Sequence, residues 1–366
     1  MNSLRKANAY VPDYLVAPGE ILEEYLDHAG ITQASLAART GLTPKTINEI
    51  IKAKSAITAE TALKFERALG RPAHFWGNLE RQYREDKVRL ADKTRLEECL
   101  PWLKIFPINE MAKLGWIEKA KDRTMQLDAL LRFFAVASPE GWEAVWVREL
   151  QASFRKTERQ QESIALVSAW LRRGQIVARG QPCETFDRQK FQESLAEVRG
   201  LTAIKSPDVF VPRLKSACAA AGVAVVFVDA LPGLGTYGVS HWVGGKYVMQ
   251  LSSFRKSHDQ LWFTVFHEAC HIIHHPRRVI HIGAGLTADE KAKEDEAHAF
   301  ARDRLIPPKA LKAFLASTPS PTLRMVERFA ESIGIAPGIV VGRLQHDGIL
   351  PRSVGNRLKN PFRWSD

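Results

Sequence analysis

The chain has 366 residues and a formal net charge of +11, with 52 Lys and Arg against 41 Asp and Glu. That length gives room for two or three domains, and the positive excess favours a polyanionic partner without identifying one. No apolar run is long enough to cross a bilayer, residues 1–6 lack an apolar signal core, and the four cysteines lack paired metal-site spacing. We therefore expect a cytoplasmic protein with reduced thiols and no membrane partner.

The pattern of apolar and polar residues predicts a mainly α protein with one small α+β domain. The strands that we predict lie at 223–229 and 246–251, and elsewhere apolar residues recur at helical spacing. We divide the chain into a terminal tail at 1–14, a small helical bundle at 15–80, a helical middle region at 81–204, the α+β domain at 205–350 and a basic tail at 351–366.

The first predicted domain has the pattern of a helix-turn-helix. Helices are predicted at 19–29, 32–40, 43–53 and 58–69. Thr43 is placed to cap the third helix, and Pro44 suits its first turn. The positions where the second and third helices must cross carry small or apolar residues, namely Ala37, Gly41, Leu42 and Ile47.

In this arrangement the third helix would enter the major groove of DNA. Asn can recognise adenine edges, whereas Lys and Thr suit guanine edges and phosphates. A polar residue that opens the preceding helix is also a common phosphate or base contact. The predicted DNA contacts are Gln33, Thr43, Lys45, Thr46, Asn48 and Lys52. The alternative is a small helical bundle with a solvated charged face.

Residues 18–70 resemble the XRE family, whose domains are lambda-repressor-like helical bundles. The opening Ala17-Pro-Gly-Glu-Ile-Leu and the ending Gly70-Arg-Pro-Ala-His-Phe-Trp are similar to its HigA-type antitoxin branch. The resemblance implies that the partner is a double-stranded DNA operator. A homodimer on a palindromic operator is then expected.

The middle region gives the least functional information. We predict helices at 125–137, 141–150 and 160–173, and Gly174–Pro182 is either a break between elements or an interior turn. We expect Trp142, Trp146 and Trp170 to pack these helices together.

The most specific pattern is His-Glu-x-x-His at His267, Glu268 and His271, on a predicted helix at 261–275. Residues four apart share a helix face, so both imidazoles can bind one metal ion. The carboxylate of Glu268 can then take a proton from water, which is the chemistry of a metal-dependent peptidase. The alternatives are histidines that are merely hydrogen-bonded in the core, and an inactive site.

A catalytic zinc site takes a third protein ligand. Position 277 is Arg, which excludes a third histidine six residues after the second. The following predicted helix, at 286–305, offers Glu290, Glu294, Asp295 and Glu296. Glu294 lies on the apolar stripe of that helix and should point inward, Glu296 is the second choice, and Asp295 should point to solvent. His298 either orients Glu294 or His267 from behind, or is an ordinary, partly buried histidine.

These residues resemble the ImmA/IrrE family of metallopeptidases. The resemblance rests on His267-Glu268-x-x-His271, Glu294-x-x-Ala297-His298-x-Phe300-Ala301 and Leu305-Ile306-Pro307. It implies a zincin-like domain with Glu294 as the third ligand and a protein substrate. Zn²⁺ is the expected ion, and Mn²⁺ or Fe²⁺ also suits two histidines and one carboxylate. His275 matches a frequent family histidine.

Two positions depart from the family pattern. Cys270 stands where the family usually has Gly, and we expect it to face away from the metal. His298 stands where the family usually has Asn, so the fine geometry of the site should differ. Helices predicted at 322–333 and 335–344 resemble the closing helical pair of the family.

Three functional hypotheses follow. In the leading one, a DNA-binding regulator is fused to a zinc-dependent endopeptidase that cleaves the chain itself or a related repressor or antitoxin. In the second, the protein is a HigA-type antitoxin or repressor, and its peptidase-like domain is a non-catalytic sensor or scaffold. In the third, the helix-turn-helix of a protease recognises protein rather than DNA.

Overall fold

The computed structural model describes residues 15–150, 158–252, 257–275 and 287–361, without the side chains of 149 and 158–163. The predicted tail at 1–14 lies outside this range. The chain divides into an N-terminal unit, Met1–Cys99, and a C-terminal unit, Leu100–Asp366. The N-terminal unit is helical, and the C-terminal unit adds a three-stranded sheet to its helices. The predicted fold class, mainly α with one small α+β domain, is confirmed.

From residue 15 onwards the N-terminal unit contains five helices: α1 (Pro18–Ala29), α2 (Gln33–Thr40), α3 (Pro44–Ile51), α4 (Ala59–Leu69) and α5 (Ala73–Glu98). Threonine hydroxyls at Thr32, Thr43 and Thr58 accept backbone N–H groups at the starts of α2, α3 and α4. Such caps satisfy amides that have no partner within the helix. Gly41, at φ 69°, makes the turn between α2 and α3. The third helix is shorter than the predicted 43–53, because Ala53 has a positive φ of 53°.

The core of the N-terminal unit is apolar and closely packed. Leu22, Leu36 and Ile47 are fully buried, and so are Phe65 and Trp76. At the crossing of α1 and α3 the two backbones meet. A Cβ atom at Gly19 would lie 2.3 Å from the carbonyl oxygens of Ile50 and Ile51, so only glycine fits there.

The sheet of the C-terminal unit contains β1 (Val223–Val228), β2 (Gly238–Val243) and β3 (Lys246–Ser252) in the order β1-β3-β2. β1 runs parallel to β3, with Val223 opposite Tyr247, and β2 runs antiparallel to β3, with Gly238 opposite Leu251. The strands at 223–229 and 246–251 were predicted to within a residue, but β2 was missed. Ser240 and His241 interrupt the apolar pattern of β2, although both are buried.

Helices cover both faces of the sheet. Tyr247, Met249 and Leu251 share a hydrophobic core with α13 (His258–His274). On the other face, the Gln250 amide donates a hydrogen bond to the Trp170 carbonyl oxygen in α10 (Glu158–Arg179) at 2.7 Å. Alternate residues of a strand point to opposite faces, which explains this division.

The predicted break at Gly174–Pro182 is wrong in its position, because α10 continues through Gly174 to Arg179. A Cβ atom at Gly174 would overlap the side-chain oxygen of Gln250. Gly174 is therefore a helical glycine that lets β3 approach α10, rather than a turn residue.

The rest of the described middle region is largely helical, as predicted. It contains a 3₁₀ turn at Leu100–Ile105 and a π turn at Glu143–Val147. Trp142, Trp146 and Trp170 are buried, which confirms the expected packing role. Its helices besides α5 and α10 are α6 (Ile108–Lys113), α7 (Arg123–Phe134), α8 (Pro139–Trp142), α9 (Arg148–Leu150) and α11 (Arg188–Leu201), and α12 (Pro207–Ala219) follows in the predicted α+β domain.

In the described residues four α-helices follow α13, and the chain then returns to it. They are α14 (Ala288–Leu305), α15 (Pro308–Ser317), α16 (Leu323–Ser332) and α17 (Pro337–His346). The tail that we predicted at 351–366 is placed as far as Pro361, with a 3₁₀ turn at Asn356–Leu358. The Asn360 carbonyl oxygen accepts the His258 N–H at 2.9 Å, and Pro361 bridges to Ser257. Asn360 and Pro361 therefore contact the residues at which α13 begins.

Candidate metal centre and nucleic-acid interface

Helices α13 and α14 bring three predicted ligands together. His267 Nε2 lies 3.1 Å from Glu294 Oε2, and His271 Nε2 lies 3.3 Å from Glu294 Oε1. The two Nε2 atoms are themselves 3.1 Å apart. The imidazoles are neighbours because they stand one turn apart on α13, and Glu294 reaches them from the stripe of α14 that also carries the buried Ala297, Ala301 and Leu305.

The donor set fits a metal ion. Ligand atoms at about 2.0–2.2 Å from a tetrahedral ion lie roughly 3.3 Å apart, close to the three separations found here. Two neutral imidazoles with protons on Nδ1 would point Nε2 lone pairs at each other across 3.1 Å. A cation between them removes that repulsion, and the carboxylate supplies negative charge. His267, His271 and Glu294 therefore remain our predicted metal ligands.

Two groups at this cluster, Glu294 and His241, have pKa values below their usual range. Burial raises the pKa of Glu294, but hydrogen bonds and charge from His267 and His271 outweigh burial and hold it far below the usual range. On β2, burial lowers the pKa of His241 to about 4, although Glu268 opposes this. Glu294 is therefore ionised and His241 is neutral near pH 7.

The structure separates Glu294 from the competing acids. Glu290 is used at the start of α14, where its carboxylate accepts the Thr287 N–H at 2.6 Å. Asp295 is exposed, as expected. Glu296 lies 3.1 Å from His275 Nε2 rather than beside His267. Among these four acids only Glu294 groups with both His267 and His271.

Glu268 lies beside this cluster. Its side chain is buried, at 3% exposure, and it lines a cavity of about 880 Å³ together with Tyr237, Gly238 and Thr264. A Cβ atom at Gly238 would lie 2.5 Å from the Thr264 methyl group and 3.3 Å from the Glu268 Cγ atom. The missing side chain at Gly238 therefore leaves room for Glu268 between the helix and the strand.

His298 does not orient His267 by a hydrogen bond. His298 is exposed, and its ring stacks on Phe263 with 5.9 Å between centroids and is tilted against His267 at 4.8 Å. The Nδ1 atom of His267 is buried and has no hydrogen-bond partner among the described residues. His298 therefore contacts His267 by ring packing and not by a hydrogen bond.

The Nδ1 atom of His271 makes a contact that we had not predicted. It lies 2.9 Å from Nδ1 of His275, whose Nε2 atom is 3.1 Å from Glu296. The signal in the sequence is the repeated spacing of four from His267 to His271 to His275. Cys270 is buried and groups with His274 and Glu296, away from His267 and Glu294.

The predicted DNA contacts lie on the surface of α2 and α3, outside the core. Lys45 and Lys52 are exposed, and Gln33 and Asn48 are half-buried. The hydroxyls of Thr43 and Thr46 are 2.8 Å apart and take part in the cap of α3, so they have a structural role in addition to any DNA contact. No helix of the described residues is long and apolar enough to cross a membrane.

Comparison with known proteins assigns both units. Residues 22–76 match the helix-turn-helix family, and residues 218–344 match the IrrE N-terminal-like domain of the M78 peptidases. Virulence-associated protein I of Dichelobacter nodosus is 38% identical over 87 residues, which are 24% of this chain and 80% of that protein. The uncharacterized HTH-type transcriptional regulator YddM of Escherichia coli K12 is 29% identical over 84 residues, 23% of this chain and 89% of that protein.

Among solved structures, the Pseudomonas aeruginosa antitoxin HigA with its higBA promoter is 30% identical and has a TM-score of 0.22. The match covers 23% of this chain and 94% of that one. Each of these relatives covers about a quarter of this chain, whereas the family match at 218–344 covers the His-Glu-x-x-His motif. The chain therefore belongs to the helix-turn-helix family through its N-terminal unit and carries an IrrE N-terminal-like, M78 peptidase-type domain in its C-terminal unit.

Proposed function

We propose that the protein is a cytoplasmic DNA-binding transcriptional regulator whose C-terminal domain is a metal-dependent endopeptidase. The observation that carries this proposal is the convergence of His267, His271 and Glu294 beside a buried Glu268 at the wall of a large cavity. A cluster that only stabilised a core would not need a cavity of about 880 Å³ next to it.

In this proposal His267, His271 and Glu294 hold Zn²⁺, with Mn²⁺ and Fe²⁺ as alternatives. When bound, the ion supplies Lewis acidity that polarises a peptide carbonyl and makes water more acidic. Glu268 accepts a proton from the attacking water and returns it to the leaving nitrogen. Glu268 can do this because its side chain, although 3% exposed, lies at the wall of the cavity.

The sheet supports an extended peptide as the substrate. Among the described strands, β2 stands at the edge of the sheet, and Tyr237 and Gly238 line the cavity. An extended peptide can add to such an edge through main-chain hydrogen bonds. A peptide paired there passes the buried carboxylate of Glu268.

The N-terminal unit supports recognition of double-stranded DNA. The helix α3 presents Lys45 and Asn48 outside the core, Lys52 directly follows it, and Gln33 opens α2. We propose that a homodimer binds a palindromic operator, because such proteins match their two-fold symmetry to two half-sites. A repressor-type domain on the same chain makes the chain itself, or a related helix-turn-helix repressor or antitoxin, the proposed substrate.

The decisive experiment for the enzyme is Glu268→Gln in the full chain. We expect bound metal to be unchanged and cleavage of the chain, or of an added helix-turn-helix repressor, to fall at least roughly 100-fold, because the general base is lost. Intact mass spectrometry of the products and metal analysis of the protein measure the two effects. Glu197→Gln, on the exposed surface of α11, is the matched control and should cleave normally.

Two results would overturn the enzymatic proposal. Equal cleavage by Glu268→Gln would show that this residue is not the base. Metal-free protein with full operator affinity would instead favour the HigA-type regulator with a non-catalytic scaffold.

The DNA proposal is tested by gel shift with the upstream region of the protein's own gene. Asn48→Ala should weaken binding to that region by roughly 1–3 kcal/mol and leave binding to unrelated DNA unchanged, because Asn contacts a base edge. Lys52→Ala should weaken both and reduce the salt slope by about one. Lys64→Ala is the control, because Lys64 is paired with Glu60 on α4. Binding that is weak and independent of sequence would favour a helix-turn-helix that recognises protein.

A further inference from the structure

The two histidines of the proposed metal site, His267 and His271, differ in the partners of their Nδ1 atoms. The side chain of His271 is fully buried, and its Nδ1 atom is 2.9 Å from Nδ1 of His275. His275 is itself 7% exposed, and its Nε2 atom is 3.1 Å from Oε2 of Glu296, which is 52% exposed. The three side chains thus form a continuous line from the cluster to the surface.

Metal binding would leave one arrangement of protons along this line. A metal on His271 Nε2 takes the lone pair of that atom, so the proton of the neutral ring is on Nδ1. His271 Nδ1–H then donates to His275 Nδ1, which must be the unprotonated nitrogen of its ring. The proton of His275 is consequently on Nε2 and is donated to the carboxylate of Glu296.

His267 has no equivalent support. Its Nδ1 atom is buried and has no hydrogen-bond partner among the residues that the structure describes. The ring of His267 is held by packing against Phe263 and His298. Of these two histidines, only His271 has a hydrogen-bond partner for its Nδ1 atom among the described side chains.

We propose that His275 and Glu296 are positioning residues for the metal centre. Glu296 orients His275, and His275 fixes the tautomer and ring orientation of His271, so that Nε2 is ready to bind the ion. This inference rests on the proposed metal site at His267, His271 and Glu294. It gives Glu296, the second choice for a ligand, an indirect role in metal binding.

We call the hydrogen bonds from Glu296 through His275 to His271 the relay. A second role of Glu296 competes with it. Cys270, His274 and Glu296 offer ligand atoms within 4.8 Å of one another, and Glu296 Oε1 is 3.7 Å from His274 Nδ1. The shorter contact from Glu296 is to His275, at 3.1 Å. His274 contacts Glu296 through its own ring, so a change at His274 separates the two uses of the carboxylate.

The test measures Zn²⁺ affinity of the full chain by competition with a chelator. We expect His275→Ala and Glu296→Ala to bind Zn²⁺ about 10–100-fold more weakly than wild type. Glu296→Gln should regain most of that affinity, because its amide oxygen still accepts the His275 N–H. His274→Ala is the matched control and should bind like wild type. Glu296 is half exposed, so its variants keep the test valid if His275→Ala does not fold.

A second measurement distinguishes positioning from packing. Nitrogen-15 spectra of the Zn²⁺-loaded protein, labelled at histidine, should show His275 protonated at Nε2 and unprotonated at Nδ1. Glu296→Ala should remove this bias, whereas a purely packing role for Glu296 would leave the tautomer unchanged.

The outcomes separate the relay from the metal site. Wild-type protein that binds no metal overturns the proposed metal site and the relay with it. Wild-type protein that binds metal, with unchanged affinity in His275→Ala and Glu296→Ala, overturns the relay alone. Equal losses in His274→Ala and His275→Ala also overturn it and favour the cluster of Cys270, His274 and Glu296.

Discussion

The two units of the molecule place their polar functional residues in opposite environments. In the N-terminal unit the core is apolar, and candidate contacts such as Lys45, Asn48 and Lys52 lie outside it. In the C-terminal unit the candidate residues Glu268 and His271 are buried among the apolar side chains of α13. Apart from Thr43 and Thr46, which also cap α3, folding and function are therefore carried by separate residues in the first unit and by shared residues in the second.

This difference has an energetic consequence. An exposed polar residue keeps its water in both folded and unfolded states, so its replacement costs little stability. A buried charged or polar cluster must be compensated inside the protein. Ligand binding should therefore change the stability of the C-terminal unit through its site, and changes at the exposed contacts Lys45 and Lys52 should leave the stability of the N-terminal unit nearly constant.

Metal removal should give the largest effect. At a metal concentration of about 1,000 times Kd, binding to the folded state contributes about 4 kcal/mol to the free energy of unfolding. Chelation should therefore increase hydrogen exchange in α13 and α14 and leave α3 unchanged, as measured by mass spectrometry. Equal protection of α13 with and without metal would contradict the shared role that we assign to its residues.

The next effect tests the packing of the N-terminal unit. Gly19→Ala should lower the free energy of unfolding of this unit by about 3 kcal/mol, because the added methyl group meets the backbone of α3 at 2.3 Å. Urea unfolding and hydrogen exchange in α1 and α3 measure the loss. Metal content should not change.

Gly77→Ala is the matched control for Gly19→Ala. It lies in α5 with nothing within 4 Å of the added Cβ atom, so it should stabilise the helix by up to about 1 kcal/mol. If both variants had the same stability, the close contact between α1 and α3 would not be a determinant of the fold.

A smaller effect should appear as a dependence on pH that only the C-terminal unit shows. The pKa of His241 is about 4 in the folded protein, against 6.5 when unperturbed, so the unfolded state binds more protons between these values. The free energy of unfolding should therefore fall by roughly 2–3 kcal/mol as the pH drops from 6.5 to 4. Urea unfolding at several pH values measures this slope.

His241→Leu should reduce the slope, because an apolar side chain of similar size has no proton to bind. His74→Gln, at an exposed position in the N-terminal unit, is the control and should leave the slope unchanged. An equal slope in wild type and His241→Leu would show that other groups cause the acid sensitivity.

The sequence was most informative where one helix carries the whole signal. The cap at Thr43, the turn at Gly41 and the inward position of Glu294 follow from local spacing, and the structure has all three. The order of apolar residues along α14 was enough to choose Glu294 over Glu296, because both lie on the same helix.

The features that were missed depend on contacts between distant elements. Gly174 is helical because Gln250 packs on it from β3, which is far away in the sequence. The link from His271 through His275 to Glu296 joins two helices, and helical spacing on either one predicts only half of it. His298, which follows Glu294 by one turn, lies near His267 but makes no hydrogen bond to its Nδ1 atom.

The return of residues 356–361 to the start of α13 has a consequence for biosynthesis. Ser257 provides no side-chain cap for this helix, and the His258 N–H is satisfied by the Asn360 carbonyl oxygen. Chains emerge from the ribosome with the N-terminal unit first. The helix that carries His267 and His271 therefore gains its final contact only after about a hundred further residues have been synthesised, so the DNA-contacting unit is complete well before the metal centre.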